Sequence, residues 1–600
     1  MNPILWVPVV VLYAAISCQQ HAVSLASFLG YAIAVFAGSL GLRLLWTGFL
    51  WPNYLSPLRH LPTVPDAGVF SKETLRIYTE PRGAPQCEWI NKLGHVPQGV
   101  VRYRSILGTE RLLVVSPDAL AEVLVSKSYD FRKPAFVVTE LRQVLGMGVL
   151  LAEGDHHKVQ REGLQPAFAF RHVKDMYGMM WSVAVHLITT MTSEFSAMPQ
   201  ESPVAATAPD DRHSVARDRT ITTDISDWAS RATLDIIGIG GMGQDFDAIA
   251  KPGGTLHQTY QQVFQPSREA IFLAVLRLAL PDWLVNWLPF KRNRQVRRSA
   301  QTIRSLCRQM IHEARAQRRR GEAGGDVFSS GKNILSVALS SGTFTDESLI
   351  DQMMTFLAAG HETTATALAW AIYIMCVHPE MQEKLRREVR ACLPSPSLSP
   401  SLSDSTSKSL ASSIDTRMPY LKAVCLEVLR YFPPVPATFR EAIRPTSILQ
   451  TPVPAGTTIV LAPRVTNRDS TLWGADAHVF NPDRWLPTRN QEMTGRSDSS
   501  HGMGAETARE DGAEHRVPDK EARPRSNFAT MTFLHGPRSC IGQSFARAEL
   551  AILLATLVGR FEFHLADESL SDEKNIKISR GATSRPNKGL LVKAKLVDGW

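Results

Sequence analysis

The chain has 600 residues, of which 44% are hydrophobic and 20% charged, enough to bury a large core. Its net charge is +9, but basic and acidic residues are interleaved, without the basic stripe and recognition module that mark a nucleic-acid-binding protein. The seven cysteines form no CxxC and show no regular spacing. This pattern excludes a disulfide framework and favours a reducing compartment.

The N-terminus predicts a membrane anchor within residues 1–47. The uncharged stretch "AVSLASFLGYAIAVFAGSLGL", residues 22–42, is long enough to cross a bilayer as a helix, whereas the apolar residues 3–18 are too few. No Lys or Arg precedes Arg43, which argues against a cleaved signal peptide. Arg43 and Arg59 then favour a cytosolic body, whether the chain crosses once or forms a hairpin first.

Residues 48–68 contain prolines 57, 62 and 65 and predict a semi-rigid tether. The body, 69–600, has mainly helical periodicity, with two short strands around Gly108, a helix start near Ser116 and further short strands near the end. It is therefore predicted to be one large, mainly α domain with small β-sheets, of the α+β class. Segments of low apolar content predict disordered insertions near 199–219, 318–332, 394–413 and 488–527.

A glycine-rich segment, "GIGGMG", matches the dinucleotide pattern G-x-G-x-x-G through Gly238, Gly240 and Gly243. In a nucleotide site this pattern follows a strand. Here it follows "DWASRATLDII", whose apolar residues share a helical face, so we predict a helix C-terminus and a turn instead.

A long apolar helix is predicted between the N-cap Thr345 and Pro379, about 33 residues in length. Its polar cluster "HETT" is out of place in a core, where polar groups need partners. Zinc is disfavoured, because Ala365 stands where H-E-x-x-H has its second histidine. Gly360 costs about 1 kcal/mol in a helix interior. We expect it to leave room for a flat group.

The segment "YLKAVCLEVLRYFPPVP" places Glu427 and Arg430 three residues apart on a helix that ends before Pro433. Such a pair is either a weak surface ion pair or a buried one. The apolar residues that surround it on the helix favour burial, and Arg484 in "FNPDRW" offers a further partner.

The segment "FLHGPRSCIGQSFA" holds Cys540, which could be an inert core residue, a nucleophile or a metal ligand. Gly536, Pro537 and Gly542 predict a tight turn whose N–H groups point at the sulfur. The helix that follows is expected to lower the thiol pKa. A nucleophile would need an oriented base, and His535 has no evident third partner. One thiolate on an iron whose other ligands are not protein would need no further residues.

These motifs together resemble those of the cytochrome P450 family over roughly residues 57–595, outside the four insertions. "AGHETT" is similar to the family's oxygen-activating helix motif, Glu427 and Arg430 to its E-x-x-R, and Arg484 to its meander arginine. The F-x-x-G-x-R-x-C-x-G haem pattern is filled at Phe533, Gly536, Arg538, Cys540 and Gly542.

The resemblance implies a P450 fold that binds haem b, with the Cys540 thiolate as axial iron ligand. Glu362 and Thr363 would relay protons during oxygen activation, and Gly360 would provide space where oxygen and substrate meet. The residues that would hold the haem propionates are Arg538, Arg161, Arg440 and His157, which stands where the family often has tryptophan.

The resemblance also implies two electrons from NADPH through a separate reductase, docked near the Cys540 loop where Arg538 lies. The anchor resembles those of the endoplasmic reticulum, with the catalytic domain on the cytosolic face. The expected substrate is an apolar small molecule, such as a terpenoid or polyketide of fungal secondary metabolism. The segments expected to contact it are Phe136–Leu151, Met354–Ala358, Pro436–Phe439 and Gly581–Pro586.

Two other functions are weighed. One is a P450-fold isomerase or dehydratase that rearranges a hydroperoxide without a reductase. Such relatives often lose the acid–threonine pair, which Glu362 and Thr363 retain here. The other is a non-catalytic haem-binding membrane protein, in which Thr363 would carry no function.

Overall fold

The computed structural model describes residues 45–64, 71–94, 96–105, 108–197, 220–264, 282–320, 333–395, 410–486 and 526–600, with scattered positions at 30–42 and 269–280. Most of the predicted anchor and most of the four insertions lie outside these residues. Within them, no helix is both long and apolar enough to cross a membrane.

Helices make up most of the described chain. They begin with α1 (Lys72–Thr79), α2 (Ala84–Leu93), α3 (Pro117–Ala121), α4 (Ala135–Leu145), α5 (Gly154–Leu164), α6 (Phe170–Asp175), α7 (Tyr177–Ala197), α8 (Ile225–Ile237) and α9 (Thr255–Phe264). They continue with α10 (Asp282–Trp287), α11 (Lys291–Arg320), α12 (Ile334–Ser340), α13 (Asp346–Val377), α14 (Pro379–Cys392), α15 (Pro419–Tyr431), α16 (Pro463–Thr466), α17 (Ser470–Trp473) and α18 (Gln543–Arg560).

The strands form small sheets beside the helices. They are β1 (Val100–Arg104), β2 (Glu110–Val114), β3 (Phe131–Arg132), β4 (Thr220–Asp224), β5 (Thr438–Ala442), β6 (Thr446–Ile448), β7 (Thr451–Val453), β8 (Thr458–Leu461), β9 (Phe561–Leu565) and β10 (Leu591–Leu596). The largest sheet has the order β1-β2-β8-β5-β3, with β2 and β8 parallel and the other pairs antiparallel. A second has the order β4-β10-β9, and β6 pairs with β7. The predicted mainly α domain with small sheets is confirmed.

The long helix α13 organises the core. The Thr345 side chain caps it by accepting a hydrogen bond from the Ser348 backbone N–H, as predicted. The helix packs against α8, α11 and α18. Near its C-terminal end, the Trp370 ring stacks on Phe432 with centroids 4.2 Å apart. Apolar side chains bury nearly every face of α13, so its few polar groups are held inside the domain.

The glycine-rich segment lies at a helix end, as predicted. Helix α8 ends at Ile237, and Gly243 adopts a left-handed conformation with φ of 72°. An added Cβ at Gly238 would lie 2.6 Å from the Gln244 carbonyl oxygen. These glycines therefore close a tight turn after a helix, not the strand-to-helix turn of a dinucleotide site.

The structure shows helix at the edges of two predicted insertions. Helix α11 continues to Arg320, three residues into the segment predicted to be disordered. At the end of the 394–413 segment, Leu410 and Ala411 are helical and buried in the main core. Their burial outweighs the polar composition of the residues before them.

Candidate active site

The loop before α18 holds Cys540 in a fixed position. The Cys540 N–H donates to the Phe533 carbonyl oxygen at 2.9 Å, and the Ser539 N–H donates to that of Gly536 at 3.0 Å. Gly536 has φ of 76°, and an added Cβ would lie 2.1 Å from the Leu124 carbonyl oxygen. The loop is thus pressed against its neighbour at Gly536, which requires glycine.

The Cys540 side chain is the exposed one among the six cysteines of the described residues. Nevertheless, burial of the thiol within the surrounding protein raises its pKa, against the opposing effects of a Gly542 backbone hydrogen bond and the Arg161 charge. The sulfur therefore faces an opening inside the protein. The predicted lowering of the pKa was wrong, because the short-range helix effect is outweighed by desolvation.

Four cationic residues and a histidine converge near this loop. Burial together with the Arg538 charge lowers the pKa of Arg440 to about 10. Burial and the charges of Arg440 and Arg538 hold the pKa of Lys133 well below its usual range. Burial and the charges of Arg538, Lys133 and Arg161 lower the pKa of His157 to about 4. The sequence prediction had grouped Arg440, Arg538, His157 and Arg161, and the structure adds Lys133.

Glu153 is the carboxylate that contacts this cluster. It pairs with Arg538, and its Oε1 lies 3.7 Å from the Lys133 Nζ. The Arg538 Nε atom is buried without a hydrogen-bond partner among the described residues. Arg440 donates to oxygens of its own strand, at Phe439 and Thr438. Positive charge therefore exceeds negative charge here, which favours binding of an anion.

Arg161, predicted to hold a haem propionate, contacts the Cys540 loop. It donates to the Ser539 carbonyl oxygen at 2.7 Å and to the Ser539 Oγ at 3.3 Å. It therefore braces the residue next to Cys540 and adds positive charge beside the sulfur. The Phe533 ring lies under the guanidinium of Arg547, whose Cζ is 5.4 Å from the ring centroid.

The open sulfur and the excess positive charge fit a haem group, which carries an iron and two carboxylates. An added Cβ at Gly542 would have Phe168 as its nearest neighbour, at 3.7 Å, so space remains above this residue. Cys540 would bind the iron, and Arg440, Arg538 and Lys133 would face the carboxylates. The haem would supply oxygen activation, which a thiolate ligand favours.

Helix α13 has a partly open face within an otherwise buried stretch, at Ala359, Gly360 and Thr363. The Thr363 hydroxyl donates to the Ala359 carbonyl oxygen at 2.8 Å. An added Cβ at Gly360 would lie 2.9 Å from Ile237 of α8. The missing side chain of Gly360 therefore leaves room for the neighbouring helix, and its role as the space where oxygen and substrate meet stays a prediction.

Glu362, the acidic neighbour of Thr363, points to the C-terminal loop 581–586. Its Oε1 accepts a hydrogen bond of 2.6 Å from the Thr583 hydroxyl, and the Arg585 Nη1 lies 4.0 Å from the same oxygen. Burial raises the pKa of Glu362, and the Arg585 charge and the Thr583 hydrogen bond oppose the rise. The carboxyl thus holds a proton more readily than an exposed glutamate does.

The predicted buried pair is confirmed. Glu427 and Arg430 are joined by hydrogen bonds of 2.8 and 2.7 Å. Arg484 donates from Nε to the Glu427 Oε1 at 3.0 Å. Arg430 also donates to the carbonyl oxygens of Asn467 and Ala477. This network joins α15 to the segment before the Cys540 loop.

Three of the four segments expected to contact substrate touch one another. The Phe136 ring lies edge-on to Phe439, with centroids 5.7 Å apart. The Thr355 hydroxyl donates to the Leu145 carbonyl oxygen at 2.8 Å. The fourth segment, the C-terminal loop, contacts α13 at Glu362 through the Thr583 hydroxyl. All four segments therefore contact α13 or a segment that is bound to it.

Sequence reasoning missed Lys133 and Glu153, and it included Thr583 and Arg585 only as members of a segment expected to contact substrate. None of the four belongs to a motif. Sequence reasoning also missed Glu549 of α18, which is fully buried and whose pKa is held well above its usual range by that burial. A charged residue within the apolar run of α18 was the available signal for Glu549.

The sequence from residue 101 to 593 matches the family model described as Cytochrome P450. The chain belongs to the cytochrome P450 family. Among its curated relatives is cytochrome P450 monooxygenase ALT8 of Alternaria alternata, which is 61% identical over 96% of this chain and 96% of its own length. Cytochrome P450 monooxygenase FUM15 of Gibberella moniliformis is 55% identical, over 92% of this chain and 90% of its own.

A third relative, cytochrome P450 monooxygenase sphH of Aspergillus fumigatus, is 40% identical over 95% of both chains. With near full-length similarity to named monooxygenases, the protein is a cytochrome P450 monooxygenase. Members of this family are haem-thiolate enzymes that receive electrons from a redox partner and oxidise small molecules.

Proposed function

We propose that this P450 is a membrane-anchored enzyme that inserts one oxygen atom of O₂ into an apolar small molecule of secondary metabolism. In the balanced reaction, a substrate C–H, O₂, NADPH and a proton give the C–OH product, NADP⁺ and water. The NADPH electrons arrive through a separate flavin reductase. The enzyme lies at the endoplasmic reticulum with its catalytic domain in the cytosol.

The observation that carries this proposal is the open sulfur of Cys540 beside a buried cluster with excess positive charge. Haem b satisfies both features, because its iron takes the thiolate and its two carboxylates offset the charge of Arg440, Arg538 and Lys133. His157, which donates to or accepts from the Tyr129 hydroxyl at 3.2 Å, completes the same wall.

Proton delivery is assigned to Glu362 and Thr363. Thr363 lies on the partly open face of α13, where its hydroxyl oxygen is able to accept a further hydrogen bond. Glu362 is the adjacent titratable group, and burial raises the pKa of its carboxyl, which favours proton exchange by this group over an exposed glutamate. The retention of both residues favours oxygen activation over the isomerase alternative.

The substrate is proposed to be apolar, because the segments expected to contact it offer mainly hydrophobic contacts. Phe136, Phe439 and the Phe168–Phe356 pair, whose centroids are 5.4 Å apart, are the aromatic members. Such a surface holds a ligand chiefly by shape and burial.

Arg538 is a poor candidate for contact with the reductase. Arg538 is buried and paired with Glu153, so it is not free to meet an acidic partner. The exposed Arg171 of α6 is a better candidate, since α6 packs against α18, the helix that follows Cys540. Substitution of Arg171 by Glu should raise the reductase concentration needed for half-maximal turnover and leave the substrate Kd unchanged.

The first experiment is the reduced carbon-monoxide spectrum of purified, haem-loaded protein. We expect a Soret band at the position typical of haem-thiolate proteins, lost in Cys540→Ala and retained in Cys392→Ala. A wild-type band typical of histidine-ligated haem would refute Cys540 as the ligand.

The second experiment separates the functional alternatives. NADPH-dependent O₂ uptake with reductase, together with an oxidised product found by metabolite comparison against Cys540→Ala, supports the monooxygenase. Turnover of a hydroperoxide without reductase would support the isomerase. An unchanged biological output in Thr363→Ala would support the non-catalytic alternative.

The membrane location is tested by sedimentation with microsomes. We expect the protein to stay in the membrane pellet after washing with alkaline carbonate.

A further inference from the structure

The carboxyl group of Glu362 is held by the C-terminal loop. Thr583 is 5% exposed, and its hydroxyl donates the 2.6 Å hydrogen bond to the Glu362 Oε1. The Arg585 Nη1 approaches the same oxygen to 4.0 Å, with the Arg585 side chain 28% exposed. The Glu362 Oε1 atom thus accepts a hydrogen bond from the buried Thr583 hydroxyl and lies near the partly exposed cation Arg585.

The loop that carries these two residues is itself anchored at Ser584. The Trp370 Nε1 donates to the Ser584 carbonyl oxygen at 2.8 Å. The Ser584 hydroxyl donates to the Pro433 carbonyl oxygen at 2.8 Å, and its N–H donates to that of Pro434 at 2.9 Å. Because Ser584 is fixed from three sides, the neighbouring Thr583 hydroxyl is presented to Glu362 in a defined position.

The acid and the alcohol of α13 face different neighbours. The Thr363 hydroxyl is bonded to the Ala359 carbonyl oxygen on the open face, whereas the Glu362 carboxyl turns toward the loop. Successive helical residues point about 100° apart, as 3.6 residues per turn requires. The position from which Glu362 exchanges protons is therefore set by the loop and not by Thr363.

We propose that Thr583 is a positioning residue for proton delivery: its hydroxyl fixes the Glu362 carboxyl, with Arg585 as the charged partner. The inference rests on the proposed function and adds a link between the loop expected to contact substrate and the acid that supplies protons. Loss of the hydroxyl leaves the carboxyl without its fixed donor. The electrons from NADPH would then reduce O₂ to hydrogen peroxide or water, and less product would form.

The test compares Thr583→Val, which keeps the shape and removes the hydroxyl, with Thr583→Ser, which keeps the hydroxyl. Thr556→Val is the matched control, a fully buried threonine whose hydroxyl donates to the Ile552 carbonyl oxygen of its own helix. In a reductase-reconstituted assay, Thr583→Val should lower the ratio of product to NADPH consumed severalfold. Thr583→Ser should stay close to wild type, with the substrate Kd unchanged in both.

A second readout needs no turnover. Thermal unfolding of the haem-loaded protein is measured for Thr583→Val, Glu362→Met and the double variant. We expect the Tm losses to be less than additive, because either substitution removes the same hydrogen bond. Additive losses would overturn the contact itself.

The remaining outcomes are also decisive. An unchanged product ratio in Thr583→Val, or an equal loss in Thr583→Ser, would overturn the positioning role. A changed substrate Kd with an unchanged product ratio would make Thr583 a substrate contact instead. Failure of the proposed function would look different, since the wild-type enzyme would then show no NADPH-dependent product at all.

Discussion

Glu427 and Arg430 form a charged pair whose side chains have no exposed surface. Two hydrogen bonds join them directly, and Arg484 reaches the same carboxylate with a fully buried side chain. Glu427 also accepts from the Asn481 N–H at 2.8 Å and the Trp485 Nε1 at 2.9 Å. Both carboxylate oxygens of Glu427 therefore accept hydrogen bonds, as a buried charge requires.

Replacing Arg430 by Met should destabilise the fold strongly, because it leaves a buried carboxylate short of one cation. The expected loss in free energy of unfolding is about 3–5 kcal/mol. The control is Arg132→Met, which breaks an ion pair with Glu441 in which the arginine side chain is 53% exposed. That loss should stay below about 1 kcal/mol. Thermal unfolding measures both, and equal Tm losses would contradict the prediction.

The two glycines that flank Cys540 should respond differently to alanine. At Gly536 the positive φ and the contact with the Leu124 backbone oxygen leave no room for a Cβ. Gly536→Ala should therefore lower the yield of folded, haem-loaded protein sharply. An added Cβ at Gly542 meets no protein atom closer than 3.7 Å, so Gly542→Ala should give a yield of folded protein close to that of the wild type. Similar yields for the two variants would contradict this difference.

The sequence was sufficient to predict features that depend on local patterns. The buried Glu427–Arg430 pair followed from its apolar neighbours, and the cap at Thr345 from the residue type alone. The close approach of Gly360 to Ile237 of α8 could not be predicted, because it depends on how closely α8 packs against α13. The pKa of Cys540 depends on desolvation by distant segments, which no local motif contains. Thr583 is 221 residues from Glu362, so their contact is a property of the tertiary structure.

Arg440 should matter for cofactor retention more than for folding. Its guanidinium is buried, and it makes no ion pair in the part of the chain that the structure describes. Arg440→Met removes one cation from a cluster with excess positive charge, so haem should transfer faster to a haem-free globin. Arg444→Met is the control, an exposed arginine paired with Asp130. Equal transfer rates for the two variants would show that Arg440 does not hold the cofactor.

Glu549 should make the protein less stable as the pH rises. Its side chain is fully buried on α18, and neither carboxyl oxygen has a hydrogen-bond partner of normal geometry among the described residues. Burial holds its pKa well above the ordinary value of 4.5, with a small opposing effect from Thr364. The folded state therefore keeps a proton that the unfolded state releases above about pH 4.5, so stability falls as the pH increases.

Glu549→Gln tests this prediction, because the amide keeps the shape and cannot ionise. The Tm of the variant minus that of the wild type should increase from pH 5 to pH 8, since only the wild type pays to keep a carboxyl protonated at the higher pH. Glu568→Gln, at an exposed position, should show no such trend. A Tm difference that stays constant across this range would mean that the Glu549 carboxyl is ionised in the fold, paired with a cation.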